Sequence, residues 1–472
     1  MEPAASSIEN RRRGAAPDRR RIDGALAVVD GHLWIEDCDS VEIAAQFGTP
    51  LYVVSETQLR ENCRRMAALF RRSWRVGPVQ LLPSFKANHT LAVRQLLNEE
   101  GMGCDVFGHG ELQAALWAGV AGEKISVNGS AKSAALIDLA VAVGARITLD
   151  SEQELDLVIG AAEQQSRTAH VRLRLRPDYR DLNGASDFFP SMTIREAADL
   201  YKPGIETAKA VEIGRRALQH RGVELTGLMT HLGRHSADPA VFATMARAFG
   251  SAVAELAAAW APWRPLELDI GGGLPAPRDP TSPARCAAPA LERFAESAAG
   301  GLLEALDAAH IDPRGLILQV EPGRSLLADT GIHLSRVCHI KRQQHPVART
   351  WVELDTTEMF LADLLLEHAY FQPVFASRAD EPHRDKVELV GQSCNFDLLA
   401  RDVDAPALAN GDIVAFLDTG AYQDAAASNF NALTRPATVL VTGNRCTLIK
   451  RRETLEEIFA RDLPLNHSRP HE

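Results

Sequence analysis

From Val79 onward, short runs of aliphatic and β-branched residues alternate with longer stretches whose apolar positions recur at helical spacing. Eight such runs stand out, at residues 80–86, 103–108, 125–129, 147–150, 171–176, 225–233, 266–273 and 316–323. Between them, residues 91–100, 110–118 and 239–260 carry the amphipathic period of helices that bury one face. Short β-rich runs separated by helices predict a parallel sheet with crossover connections. Eight repeats predict a closed (β/α)8 barrel.

After Gly323 the helical period fades and strand-like runs follow at short intervals, at 337–341, 351–355, 387–391, 413–418 and 439–441. That texture predicts a separate, mainly antiparallel β domain. Residues 25–35 also read as strand and are expected to pair with it. The predicted organisation is a disordered basic tail at 1–21, a strand segment at 22–49 packing with the β domain, the barrel at 50–324, the β domain at 325–460 and a flexible tail at 461–472. The longest irregular stretch, 176–204, is interrupted by Asp187-Phe188-Phe189-Pro190; loops of that length are commonly functional.

Composition narrows the function classes. With 46% hydrophobic and 24% charged residues the chain reads as a soluble globular protein, and no apolar stretch is expected to span a membrane. A formal net charge of −11 offers no basic surface for nucleic acid and leaves small molecules as partners. Seven scattered cysteines, none at Cys-x-x-Cys spacing, suggest reduced thiols in a cytoplasm and no structural zinc. The arginine triplets at 11–13 and 19–21 are followed by no apolar segment, so they do not form a secretory signal.

In a (β/α)8 barrel the residues ending each strand gather at one mouth. Here they are Lys86, Asp105, Asn128, Asp150, Arg176, His231, Gly271-Gly272-Gly273 and Glu321-Pro322-Gly323-Arg324. A lysine following apolar strand residues can be desolvated into a nucleophilic amine, although alone a lysine at a strand end is ordinarily a snorkelling surface residue. A glycine run after a strand lets backbone N–H groups approach a phosphate. An arginine can clamp that phosphate, and a glutamate can bond a protonated ring nitrogen. His231 would point into the mouth, where its ring could stack on a cofactor. In the β domain, Cys394, Asn395 and Asp397 fall in one turn-like segment, and Gly420-Ala421-Tyr422 adds a phenol.

In this order the pieces resemble the fold-type III pyridoxal-phosphate decarboxylases, the group of diaminopimelate decarboxylase and ornithine decarboxylase, and are closest to the former. The resemblance runs from about residue 41 to 449 and includes Phe47-Gly48-Thr49-Pro50-Leu51-Tyr52-Val53, Cys104-Asp105-Val106, Asn128-Gly129 with Lys132-Ser133, and Asp150 with Glu154-Leu155. It implies a barrel of the alanine-racemase type and pyridoxal 5'-phosphate held on Lys86 as an internal aldimine. It also implies His231 stacked on the ring, Glu321 on the pyridine nitrogen, and Asp105, Gly272, Gly273, Pro322, Gly323, Arg324 and Tyr422 among the cofactor contacts. Cys394 would come from the partner subunit of a homodimer and protonate the carbanion. The substrate would meet Asn395, Asp397, Asp355 and Tyr422.

Three departures bear on substrate. Asn395 stands where the diaminopimelate enzymes carry an acidic residue directly after the cysteine, and Asp397 falls one residue early. Residues 355–373 contain no Arg-Pro-x-Leu-Tyr segment, and Arg234 replaces the expected serine, with His235-Ser236 following. The expectation is therefore decarboxylation of an amino acid other than meso-diaminopimelate. Competing readings are a lysine-forming diaminopimelate decarboxylase, an amino-acid racemase, and a catalytically silent binder. A glutamate rather than an arginine at the ring nitrogen favours decarboxylation over racemisation, because a protonated pyridine is the stronger electron sink.

Overall fold

The computed structural model describes residues 19–179, 181–182, 184, 186, 191–200, 202–231, 233, 238–276 and 290–463 of the 472. Residues 187–190 and 234–236 lie outside them. The chain divides into two compact units, Leu59–Ala328 and Met1–Gln58 with Asp329–Glu472.

The first unit is the expected barrel. Its parallel strands are β1 (Val79–Leu81), β2 (Cys104–Val106), β3 (Ile125–Val127), β4 (Arg146–Leu149), β5 (Ala169–Arg176), β6 (Val223–Met229), β7 (Glu267–Asp269) and β8 (Ile317–Val320). They pair in the order β1-β8-β7-β6-β5-β4-β3-β2, and a parallel bridge between Ser84 and Asp105 joins the two ends. Polar N-caps start several crossover helices. Ser133 accepts from the Leu136 N–H, Ser151 from the Glu154 N–H, and Asp238 precedes a proline at the first turn of Pro239–Ala259.

By length and apolarity alone that last helix could cross a membrane. It is a barrel-wall helix. Phe242, Met245, Phe249, Val253 and Leu256 are buried, and Phe242 meets Phe294 of the next helix edge-on, with ring centroids 5.1 Å apart.

The second unit contains the expected mainly antiparallel sheet, with two parallel pairings in it. Gly331–Gln343 pairs antiparallel with Arg349–Leu354, Ile413–Phe416 and Leu51–Ser55, whereas Ala437–Thr442 runs parallel to Leu51–Ser55 and Arg349–Leu354 parallel to Asp385–Val390. Leu51–Ser55, expected at the start of the barrel, lies instead inside this sheet. All five of its residues are buried, as a strand with neighbours on both edges and cover on both faces requires. Leu398–Ala405 and Arg445–Lys450 are strands whose polar, exposed residues hid them from the hydrophobic pattern.

Residues 25–35 do not pair with that sheet. They form a small sheet of their own with Arg19–Asp23 and Cys38–Asp39, and pack Leu26, Leu33 and Ile35 against Leu51, Ile332 and Val439. Arg19–Arg21, expected in the basic tail, belong to its edge strand, where Arg19 reaches Asp37 at 2.6 Å and the Glu36 carbonyl.

Candidate active site

The barrel interior is polar and closely hydrogen-bonded. At its centre Arg172 on β5 is fully buried and bonds Asp269 at 2.8 Å, the Thr148 hydroxyl at 2.8 Å, Gln319, Ser126 and the Asn128 carbonyl at 3.2 Å, with Glu321 at 3.8 Å. Burial alone would lower its pKa, but Asp269, Glu267 and Glu321 outweigh that and raise it. Such partnering offsets the desolvation of a buried guanidinium.

Above this layer the strand ends carry the predicted groups. Phe85–Ala87 is a single 3₁₀ turn whose flanking Phe85 and Ala87 are buried, which leaves Lys86 pointing outward. Lys86 is exposed, not desolvated as expected, and its charge favours the ionised form of Asp105. Asp105 is buried, accepts from Ser84 at 2.6 Å and from Asn128 at 2.7 Å, and is still pushed above the usual carboxylate range, chiefly by burial. Glu321 is 4% exposed and accepts from the other Asn128 amide hydrogen. Burial first, then Asp105 and Asp269, hold its carboxyl well above the ordinary value against the pull of Arg172.

The glycine run is held by Asp269, which accepts from the Gly271 N–H at 2.8 Å, and by Glu321, whose N–H donates to the Gly271 carbonyl at 2.8 Å. Gly271 and Gly273 have φ of +68° and +81°, and a Cβ on Gly272 would stand 2.4 Å from the Glu321 carbonyl oxygen. His231 lies against this run, its ring 2.8 Å from where a Gly271 Cβ would sit, beside a recess lined by Arg174, Tyr179 and Thr230. Gly323 precedes the short helix Arg324–Leu327, and Arg324 is 8% exposed. One unit thus brings together Lys86, Asp105, His231, Gly272, Gly273, Glu321, Pro322, Gly323 and Arg324. Two other strand-end residues serve the wall: Asp150 accepts from the Gly204 N–H at 2.7 Å and Arg176 donates to the Lys202 carbonyl at 2.8 Å.

The remaining candidates belong to the β unit. Cys394 is exposed, its backbone N–H donating to Asn431 at 2.9 Å and its sulfur 3.4 Å from the Asn431 amide. Tyr422 takes a left-handed conformation, φ +67°, ahead of a short helix. Two carboxylates assigned to substrate are spent internally. Asp397, 1% exposed, accepts from the Glu358 N–H at 2.7 Å, the Ser393 N–H at 2.6 Å and the Thr357 hydroxyl at 3.1 Å. Asp355 accepts from Thr49, from Ser335 at 3.2 Å and from the Arg336 N–H at 2.8 Å. What the loop presents instead is Asn395 hydrogen-bonded to Glu358, a 6% exposed carboxyl raised by burial and by Asp397.

Glu358 and Arg172 are the residues that motif reading missed. Arg172 carried a signal, the first of three arginines alternating with aliphatic residues along residues 171–176; Glu358 carried none.

Residues 56–328 match the family model described as the pyridoxal binding domain of pyridoxal-dependent decarboxylases. The chain is 30% identical over 447 residues to a diaminopimelate decarboxylase of Methanocaldococcus jannaschii, covering 94% of this chain and 97% of that one. It is 29% identical over 451 residues to a diaminopimelate decarboxylase of Bacillus subtilis, covering 92% and 96%. The crystal structure of the Methanocaldococcus jannaschii enzyme in complex with L-lysine superposes with a TM-score of 0.83 at 29% identity, over 93% of this chain and 98% of that one.

Proposed function

We propose that this chain, which belongs to the pyridoxal-dependent decarboxylase family, decarboxylates an amino acid other than meso-diaminopimelate, within a cytoplasmic homodimer whose subunits share their active sites. Its cofactor is pyridoxal 5'-phosphate and its reaction class is amino-acid decarboxylation.

The barrel residues fit that cofactor. The Gly272 backbone lies so close to the Glu321 carbonyl that a side chain there would collide with it, so the peptide groups of the glycine run pack directly against the strand end that carries Glu321. Glu321 offers a buried carboxyl at one edge of the mouth and Lys86 an outward amine at another. When bound, the cofactor supplies a protonated pyridine as an electron sink for the pair of electrons left when the Cα–carboxylate bond breaks and carbon dioxide departs.

The protein's own groups then divide the work. Lys86 binds the cofactor through its amine. Glu321 holds the proton at the ring nitrogen, and His231 packs on the ring face. Gly272, Gly273, Gly323 and Arg324 hold the phosphate, so that N–H groups and a guanidinium share its charge. Cys394 of a second copy gives its thiol proton to Cα once carbon dioxide has left.

The observation that carries the substrate reading is the Asn395–Glu358 pair beside Cys394, together with the internal use of Asp397 and Asp355. A carboxyl with one oxygen tied to an amide favours a side chain ending in an amine or another donor. The absence of an arginine from residues 355–373 leaves a distal carboxylate without a cation there.

The test is a panel of diaminopimelate, lysine, ornithine, arginine and glutamate assayed for carbon dioxide release, with Lys86→Ala as the control. A basic amino acid lacking a distal carboxylate should be turned over fastest, and Lys86→Ala should lose both turnover and the visible cofactor band. Diaminopimelate as the best substrate would instead establish the lysine-forming reading. Loss of optical activity without carbon dioxide would establish a racemase.

A further inference from the structure

One amide, that of Asn128, stands between the two carboxyls of the barrel mouth. Its carbonyl oxygen accepts from the Ser126 hydroxyl at 2.9 Å, the Thr148 hydroxyl and the Arg172 guanidinium at 3.2 Å. Three donors on that oxygen fix which end of the amide is which, since a flip would set an NH2 group against donors. The two amide hydrogens therefore face the other way. One goes to Asp105 at 2.7 Å and the other to Glu321. Asn128 is 4% exposed, so no solvent competes for these bonds.

We infer that Asn128 is a positioning residue, which couples the carboxylate beside Lys86 to the carboxylate at the cofactor's ring nitrogen by donating one hydrogen to each. This rests on the assignment of Lys86 and Glu321 to the cofactor.

The physical need is plain from the charges. Asp105, Asp269 and Glu321 surround one guanidinium, and like charges at this spacing push a proton onto one of them. Hydrogen bonds to the ionised forms oppose that protonation, and a single rigid amide supplies one to each acid at a fixed separation. Arg172 completes the arrangement from below, balancing charge while it orients the amide. Without the bridge, Asp105 would take up a proton more readily and cease to favour a protonated nitrogen on Lys86, while Glu321 would lose its set direction.

Asn128→Leu, similar in size and without donors, tests this through two readings that do not involve turnover. The pH midpoint of the visible band of the lysine-bound cofactor should fall by about one unit, and the Kd of the apoprotein for pyridoxal phosphate should rise about tenfold, the scale expected for losing a charge-assisted hydrogen bond. If Asn128→Leu does not fold, Asn128→Ser must move both readings in the same directions. A lowered melting temperature with midpoint and Kd unmoved would make Asn128 structural only and overturn the inference. The unmodified protein separates the two layers: no visible band there sinks the Lys86 assignment, whereas a normal band with unmoved variants sinks only the bridge.

Discussion

Asp397→Asn separates a structural from a substrate-binding carboxylate at the Cys394 loop. The native carboxylate accepts three hydrogen bonds, from Glu358 N–H at 2.7 Å, Ser393 N–H at 2.6 Å and the Thr357 hydroxyl at 3.1 Å, while 1% exposed. An asparagine keeps one acceptor oxygen, which can serve Glu358 and Thr357, and turns an NH2 toward the Ser393 N–H. One charge-assisted bond worth roughly 1.5–3 kcal/mol is lost, and two others drop to neutral strength at a cost of about 0.5–1 kcal/mol each. The sum, about 2.5–5 kcal/mol, is a large share of the ~5–15 kcal/mol that holds a typical domain together. Urea unfolding followed by far-UV circular dichroism should show a lower midpoint for the variant. The visible cofactor band, which depends on Lys86 in the other unit, should persist under native conditions. A midpoint shift worth less than about 1 kcal/mol, accompanied by a tenfold rise in KM, would refute the reasoning and return Asp397 to the substrate.

Two further outcomes follow from single residues. His333 is fully buried with Nε2 2.7 Å from the Thr356 hydroxyl, and burial, aided by Arg452, lowers its pKa to about 3. The unfolded chain takes up that proton near the ordinary value of about 6.5 and the folded chain only near 3, so acidification favours unfolding across that window. Stability should fall by about 1.4 kcal/mol per pH unit from this residue between roughly pH 6 and 3. His333→Gln should remove that part of the slope, and an unchanged pH profile of the urea midpoint would contradict it. Gly272→Ala would place a methyl 2.4 Å from the Glu321 carbonyl oxygen, so the backbone must move. The Kd for pyridoxal phosphate should rise at least tenfold and the urea midpoint should fall, whereas unaltered values of both would show that the backbone here tolerates a side chain.

The barrel was legible in the sequence because short β-prone runs alternate with helices of amphipathic period, although β5 and β7 also carry charged residues of the interior. The β unit was legible only where its strands bury residues. Leu398–Ala405 and Arg445–Lys450 escaped because exposed edges have no apolar requirement, and Leu51–Ser55 was misplaced because a fully apolar strand does not say which sheet it enters.

The site divides along the same line. Lys86, His231, Glu321 and Arg324 could be placed at the barrel mouth because each follows its own strand or turn, so position along the chain already implies position at the mouth. Asp397 could not be judged that way, since its three partners come from residues 357, 358 and 393 and only a folded loop shows them satisfied. The layer beneath the mouth was hidden for a stronger reason. Arg172, Ser126, Asn128, Thr148, Asp269 and Gln319 lie on or just after five different strands and span almost 200 residues of sequence, and no local pattern relates them. A motif can name the groups that touch a cofactor, but their charge state is set by neighbours that come together only when the barrel closes. That is why Asn128, read from the chain as one polar strand end among many, acquires its meaning from Asp105 on one side and Glu321 on the other.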